Sequence, residues 1–246
     1  MSQEEEEEDK HVYDFTNKVV LVTGGTGALG STITKSFSAC GAKVISTYLL
    51  DKNIDQLKFQ GKSKIQLIKT DVSNEEDVRK LCSNILKDYG QIDILVNVVG
   101  GYIGGKSIAE LDERDWNLMM NINLKSAFLI SKHVIPTMAA ARSGKIVHIS
   151  SMTGLKAAGF DSAYAASKAG LIRFVDSLAE EGKEFNVNVN CIMPSIIDTK
   201  ANRAAMPSAD FGKWVNPQDL ANVILFLCSD GAKVITGAAI PTYGLG

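Results

Sequence analysis

Apolar residues along this chain alternate between two periods. Short, nearly continuous apolar runs at 18–22, 43–48, 64–70, 92–99, 144–150, 187–193 and 238–242 read as buried strands. Between them, apolar positions three and four apart mark amphipathic helices at 28–40, 51–59, 74–89, 112–141, 162–184 and 217–229. Strands that are apolar throughout, rather than at every second position, suit a parallel sheet covered by helices on both faces. The expected fold class is therefore α/β, with one doubly wound parallel sheet. No repeat or low-complexity linker divides the pattern, so residues 15–246 are expected to form one domain after a polar arm at 1–14. The least regular stretch, about 195–216, is punctuated by Pro194, Pro207 and Pro217 and is long enough to act as a lid.

Two motifs give this pattern chemical content. The first strand runs directly into Thr23-Gly24-Gly25-Thr26-Gly27-Ala28-Leu29-Gly30, and helical spacing begins with Ile33 and Phe37. Glycines between a strand and a helix allow a tight turn and let a pyrophosphate approach the amides of the helix N-terminus. This is the signature of a Rossmann-type dinucleotide site. The second motif is Ser151 at the end of an apolar strand, followed thirteen residues later by Tyr164 and then Lys168 one helical turn on. An ordinary phenol, with a pKa of about 10, releases its proton reluctantly at neutral pH. A neighbouring ammonium stabilises the phenolate, and a serine hydroxyl can hold a substrate oxygen. The bland readings are that Tyr164 packs, Ser151 caps the following loop and Asn123 bridges backbone groups.

Taken together these residues resemble the short-chain dehydrogenase/reductase family from about Asn17 to Gly246. Further matches are Asp71-Val72 after the third strand, Asn97-Val98-Val99-Gly100 after the fourth, Trp116 seven residues before Asn123, and Pro194-Ser195-Ile196-Ile197-Asp198-Thr199. The resemblance implies hydride transfer between a nicotinamide and a carbonyl or alcohol, with Asn123, Ser151, Tyr164 and Lys168 as catalytic residues. It implies cofactor contacts from Gly24, Thr26, Gly27, Leu29, Gly30, Thr47, Tyr48, Asp71, Val72, Asn97, Gly100, Tyr164, Lys168, Pro194, Ile197 and Thr199, and no metal. In this reading Lys168 lowers the Tyr164 pKa and binds the ribose, while Asn123 positions Lys168 through a water-bridged relay. A homotetramer is the expected assembly, with a dimer next.

Departures from the family pattern qualify the match. Ala28, Val98 and Ser195 replace usual family residues, and His148 stands where asparagine is frequent, a core or shell histidine by its setting. The second strand ends Ser46-Thr47-Tyr48-Leu49 with neither an acid for a ribose 2′-hydroxyl nor an arginine for a 2′-phosphate beside Tyr48. The balance tips toward NADP over NAD, with Lys52 a further candidate contact. The middle of the chain resembles 3-oxoacyl-carrier-protein reductases. The segment Asp198-Thr199-x-x-Asn202-Arg203-x-x-Met206-Pro207-x-Ala209-Asp210-Phe211-x-x-Trp214 resembles the lid of dihydropteridine reductases, an alternative function.

Composition narrows the classes. A chain of 246 residues, 45% hydrophobic, can bury a full core. No apolar run reaches membrane-spanning length and no secretory leader pattern is present, so a cytoplasmic protein is expected. Cys40, Cys82, Cys191 and Cys228 are scattered in apolar segments without a C-x-x-C pair, which suits buried thiols. The net charge of −2 combines an acidic arm, Glu4 to Asp9, with a mildly basic remainder that has no stripe for nucleic acid. Gly100-x-x-x-x-Gly105-Lys106-Ser107 fits the phosphate loop of nucleotide triphosphatases, but that chemistry needs a helix starting at Lys106, whereas Asp112 reads as the cap of the next helix. A catalytically idle nucleotide sensor is the remaining alternative from another class.

Overall fold

The structure, a computed structural model, describes residues 13–51, 54 and 65–244. The acidic arm through residue 12, Lys52 and most of the helix expected at 51–59 lie outside the described residues. Seven parallel strands form one sheet in the order β3-β2-β1-β4-β5-β6-β7. They are β1 (Val19–Thr23), β2 (Lys43–Tyr48), β3 (Ile65–Lys69), β4 (Ile94–Asn97), β5 (Gly144–Ile149), β6 (Val187–Pro194) and β7 (Ala239–Thr242). All seven strand readings from the sequence are recovered.

Period-two side-chain direction splits the core into two layers. Leu21, Ile45, Leu95, Ile146 and Val189 pack on one face with α2 (Glu75–Tyr89), α4 (Ser126–Ala141) and α5 (Ser162–Lys183). Val20, Val22, Val44, Val96 and Val147 pack on the other with α1 (Ala28–Ala39) and α7 (Pro217–Cys228). Burial on both faces explains why these strands read as unbroken apolar runs. The four cysteines are free and buried.

The winding direction reverses between β1 and β4, so their C-terminal ends open a crevice, the usual ligand site of a doubly wound sheet. Helix capping differs around it. Asn74 caps α2 by accepting from the Glu76 and Asp77 amides, and Asn216 caps α7 by accepting from Gln218. In α1 the cap is Gly27, with no side-chain acceptor and no acid in the first turn. The amides and positive dipole end of α1 therefore stay available to an anion in the crevice.

The helix expected at 112–141 is a composite. α3 (Glu113–Met119) passes through a π-helical segment, Met120–Lys125, into α4, where the Ser126 amide bonds to the Asn121 carbonyl. Periodicity cannot locate such a widened turn in a sequence, because apolar spacing resumes on its far side. The stretch at 195–216 is also more ordered than its composition suggests. It contains α6 (Lys200–Ala205), capped by Thr199, and a 3₁₀ turn at Phe211–Lys213. A bridge between Ile197 and Val215 pins its ends together.

Candidate active site

The crevice has a volume of about 750 Å³. Of the residues expected to meet a cofactor, Gly24, Thr26, Gly27, Leu29, Gly30, Thr47, Tyr48, Asp71, Val72, Gly100 and Thr199 line it. Gly24 sits at φ 66°, and a Cβ on Gly30 would strike the Gly24 carbonyl. The turn can close on α1 only with glycine at both positions. Thr47 fixes the loop from β2, since its hydroxyl accepts from the Gly24 amide at 3.2 Å and its carbonyl from the Gly25 amide at 2.8 Å. Asp71 accepts from the amide and hydroxyl of Ser73 at 2.9 and 2.6 Å, which orders the chain after β3.

Other expected contacts lie elsewhere. Asn97 points into the core, accepting from the Thr23 hydroxyl at 2.6 Å and donating to His148 Nδ1 at 3.3 Å. Thr23 accepts in turn from the Val98 and Val99 amides, so Asn97 acts on the crevice wall through its scaffold. Pro194 is buried at the end of β6, and Ile197 packs against the core layer of α1 and α7. The sequence reading missed the apolar wall of Leu49, Leu50, Val99, Leu118 and Ile122. In the sequence the available signal was the pair Leu49-Leu50 directly after the apolar run of β2; both are exposed in the structure, at 53% and 64%.

Beside the crevice, Asn123, Ser151, Tyr164 and Lys168 come together from the π segment, the end of β5 and α5. Lys168 is buried and donates to the Ile149 carbonyl at 2.8 Å. Its Nζ stands 5.9 Å from the centre of the Tyr164 ring. A Cβ on Gly100 would lie 2.9 Å from Asn123 Oδ1 and 3.2 Å from Lys168 Nζ, so these two groups converge on one glycine. Asn123 accepts from the Gly101 amide at 2.9 Å and donates to the Gly101 carbonyl at 3.1 Å and to Ser167 at 3.0 Å. It thus bridges backbone as the bland reading held, and no direct hydrogen bond joins it to Lys168. Ser151 also caps, accepting from the Thr153 amide at 3.1 Å.

Burial dominates the electrostatics. It pulls the Lys168 ammonium down to about 8. Burial also raises the Tyr164 phenol above its usual value; a hydrogen bond with Ser151 opposes this and the Asp161 carboxylate adds to it. The net direction for Tyr164 is therefore upward, where a lowering by Lys168 was expected. Desolvation sets that direction, and Ser151 is the group that acts downward. His148 is fully enclosed, with Asn97 on Nδ1 and Ser131 at 3.2 Å from Nε2, and burial followed by the Lys168 charge holds it near 3. It is a neutral core histidine.

The phosphate-loop reading fails on geometry. Lys106 is held by Asp112 and Asp115 at 2.9 and 2.8 Å, Ser107 bonds to Glu110, and α3 starts only at Glu113. Asp112 does stand at the cap position of α3, although its side chain serves Lys106 rather than the helix amides. Among the described residues no cluster of His, Cys, Asp or Glu could hold a metal, and no helix is long and apolar enough to cross a membrane.

An α/β sheet with a glycine turn at its switch point and a Ser, Tyr and Lys cluster beside it defines a dinucleotide-dependent oxidoreductase. The family model described as short chain dehydrogenase matches residues 18–209, and the chain belongs to that family. It is 32% identical over 238 residues to a 3-oxoacyl-(acyl-carrier-protein) reductase of Thermotoga maritima, covering 92% of this chain and 96% of the relative. A NAD-dependent glycerol dehydrogenase of Listeria innocua is also 32% identical, covering 92% of each chain. Among solved structures, one described as ElxO with NADP bound superposes with a TM-score of 0.85 at 27% identity, covering 91% of this chain and 96% of that one. The crystal structure of gox2181 gives 0.86 at 29%, covering 93% and 95%. The chain is accordingly an NAD(P)-dependent oxidoreductase with a core like the 3-oxoacyl-(acyl-carrier-protein) reductases.

Proposed function

We propose that this protein reduces a ketone to a secondary alcohol, with NADP preferred over NAD, and that Tyr164 is the proton donor. The observation that carries this reading is the convergence of Tyr164, Lys168, Ser151 and Asn123 beside the glycine-lined crevice. The crevice fits a nicotinamide dinucleotide, because Gly24 and Gly30 leave a cradle that a side chain would fill and the end of α1 offers uncapped amides. When bound, the coenzyme supplies the hydride.

Ser151 donates a hydrogen bond to the carbonyl oxygen and fixes it beside Tyr164 Oη. Tyr164 passes its proton to that oxygen as negative charge develops there. Lys168 uses one donor on Ile149 and keeps two for the ribose, its charge favouring the phenolate that remains. Asn123 holds the Gly101 backbone and Ser167, and so sets the position of the turn bearing Gly100. The π segment aims its amide inward.

The preference for NADP rests on the end of β2. Among the described residues Asp51, the first acid after Tyr48, is paired with Lys69 at 2.9 Å, which offsets part of its repulsion of a 2′-phosphate. The same reading takes residues 15–246 as one catalytic domain with 195–216 as its lid, in a cytoplasmic homotetramer or dimer. The residues shared with dihydropteridine reductases favour a second reading only weakly. Arg203 makes two hydrogen bonds to Asp198 at 2.6 Å and lies 4.7 Å over Phe211, whose ring packs at a tilt of 55° against Trp214. They mainly hold the segment together.

The test is loss of reduced-nicotinamide absorbance, with NADPH and NADH each offered an acetoacetyl thioester and a quinonoid dihydropterin. Turnover of the thioester, faster with NADPH, is the expected result. Turnover of the pterin alone would transfer the function to the second reading.

A further inference from the structure

The loop after β4 carries a construction that the mechanism above does not use. Tyr102 is 63% exposed, yet it is held rigidly. Its hydroxyl donates to Asp161 Oδ1 at 2.8 Å, and its ring meets the Tyr164 ring edge-on, with centroids 5.0 Å apart and planes at 85°. The backbone is shaped around this pair. A Cβ on Gly104 would collide with both the Tyr102 hydroxyl and the Asp161 carboxylate. Gly105, at φ 81°, donates its amide to the Phe160 carbonyl at 2.9 Å. Phe160 itself takes φ 68°, a conformation a bulky residue adopts only under local constraint. Gly105, the second glycine of the apparent phosphate loop, thus serves with Gly104 a clasp between two loops, 101–105 and 160–161.

A clasp that pins an exposed aromatic ring against the proton donor has a direct chemical use. The ring borders the space next to the carbonyl that Tyr164 serves. It presents π surface there without the entropic cost of ordering a free side chain on binding. Phe160, beside Asp161, and Met152 and Leu155, in the turn that Ser151 caps, are also exposed at 65%, 40% and 67%. The Asp161 carboxylate, close enough to act on Tyr164, disfavours an anionic group at the same place.

From this arrangement we infer that Tyr102 is a specificity-determining residue, and that the substrate carries its carbonyl on a flat, apolar body without an anionic group, such as an aryl ring. This inference rests on the carbonyl-reducing reading and names its substrate class. The Tyr102 ring lies along that body, and the Asp161 bond keeps it in place. Tyr102 packs on Tyr164 and bonds to Asp161 rather than meeting the glycine turn, so its effect is expected on substrate and not on the dinucleotide.

The test compares acetophenone with cyclohexyl methyl ketone, which match in size and differ in flatness. The ratio of their kcat/KM values is measured for the natural protein, Tyr102→Ala and Tyr102→Phe, with the dissociation constant for NADPH measured on the same samples. Reading the change in ratio cancels the intrinsic reactivity of the two ketones. Tyr102→Ala is expected to lower the flat-to-saturated ratio about tenfold or more, on the scale of one lost specific ring contact. Tyr102→Phe restores most of that ratio, and NADPH affinity stays within about twofold throughout. An unchanged ratio in Tyr102→Ala, or equal loss on both ketones together with loss of NADPH affinity, overturns the inference. Turnover of the acetoacetyl thioester with neither ketone accepted overturns the inference alone. Silence with every carbonyl, by a protein that binds NADPH, overturns the reading beneath it as well.

Discussion

Lys168 concentrates the physical tension of the site. Its ammonium is enclosed beside the Ile149 carbonyl, and burial lowers its pKa from 10.5 to about 8, with Cys191 a minor opposing influence. A lysine whose folded pKa is depressed weakens the fold while charged, because the unfolded chain binds the proton more tightly. Its cost is full below about pH 8 and fades as pH rises toward the unfolded value. Between about pH 7.5 and 9.5 this relief amounts to about 2 kcal/mol by linkage. The thiols of Cys82, Cys191 and Cys228, raised by burial, act in the opposite direction at alkaline pH. The prediction is therefore a difference. In urea unfolding at the two pH values, Lys168→Met lacks the relief that the natural protein shows. Parallel pH dependence in the two proteins would show that Lys168 is not desolvated as described. The trio itself was legible in the sequence. The direction of the Tyr164 shift was not, because it depends on how much solvent the packed residues exclude and on Asp161, a neighbour the motif does not contain.

Among the elements, β5 links core and site. His148 joins β4 to α4 through Asn97 and Ser131. Held near 3 against an ordinary 6.5, it contributes stability above the unfolded value that is lost as pH falls through the window between them. Lowering the pH from about 7.5 to about 5 costs about 2 kcal/mol from this residue alone by linkage. His148→Asn removes that acid sensitivity, so its stability should fall by about 2 kcal/mol less over the same interval. Equal losses would mean that the imidazole is charged or solvated in the fold. Helix and strand positions were readable because burial on both faces leaves continuous apolar runs. The π segment and α6 were hidden, since one is a local widening of a regular pattern and the other is only six residues long. Asn97 illustrates the limit of a motif match. Its place in the sequence suggested a cofactor contact, but the β4–β5 register turns its side chain toward His148.

For the whole molecule, the strand order creates the switch-point crevice, the uncapped end of α1 gives it a positive edge, and the end of β5 and the start of α5 deliver Ser151, Tyr164 and Lys168 to its side. Everything set by chain order and periodicity could be read from the sequence. What depends on contacts between distant loops could not, and the pair of Tyr102 with Tyr164, sixty-two positions apart, is the main example. In the proposed function this architecture passes a proton from Tyr164 to a carbonyl oxygen reduced by the coenzyme. Its most direct test is the rate of NADPH consumption with an accepted ketone by the natural protein and by Tyr164→Phe, with NADPH affinity determined for both. The account predicts a loss in kcat of about 10²–10⁴-fold, the usual worth of a positioned general acid, with NADPH still bound. Turnover by Tyr164→Phe within a few fold of the natural protein would contradict it.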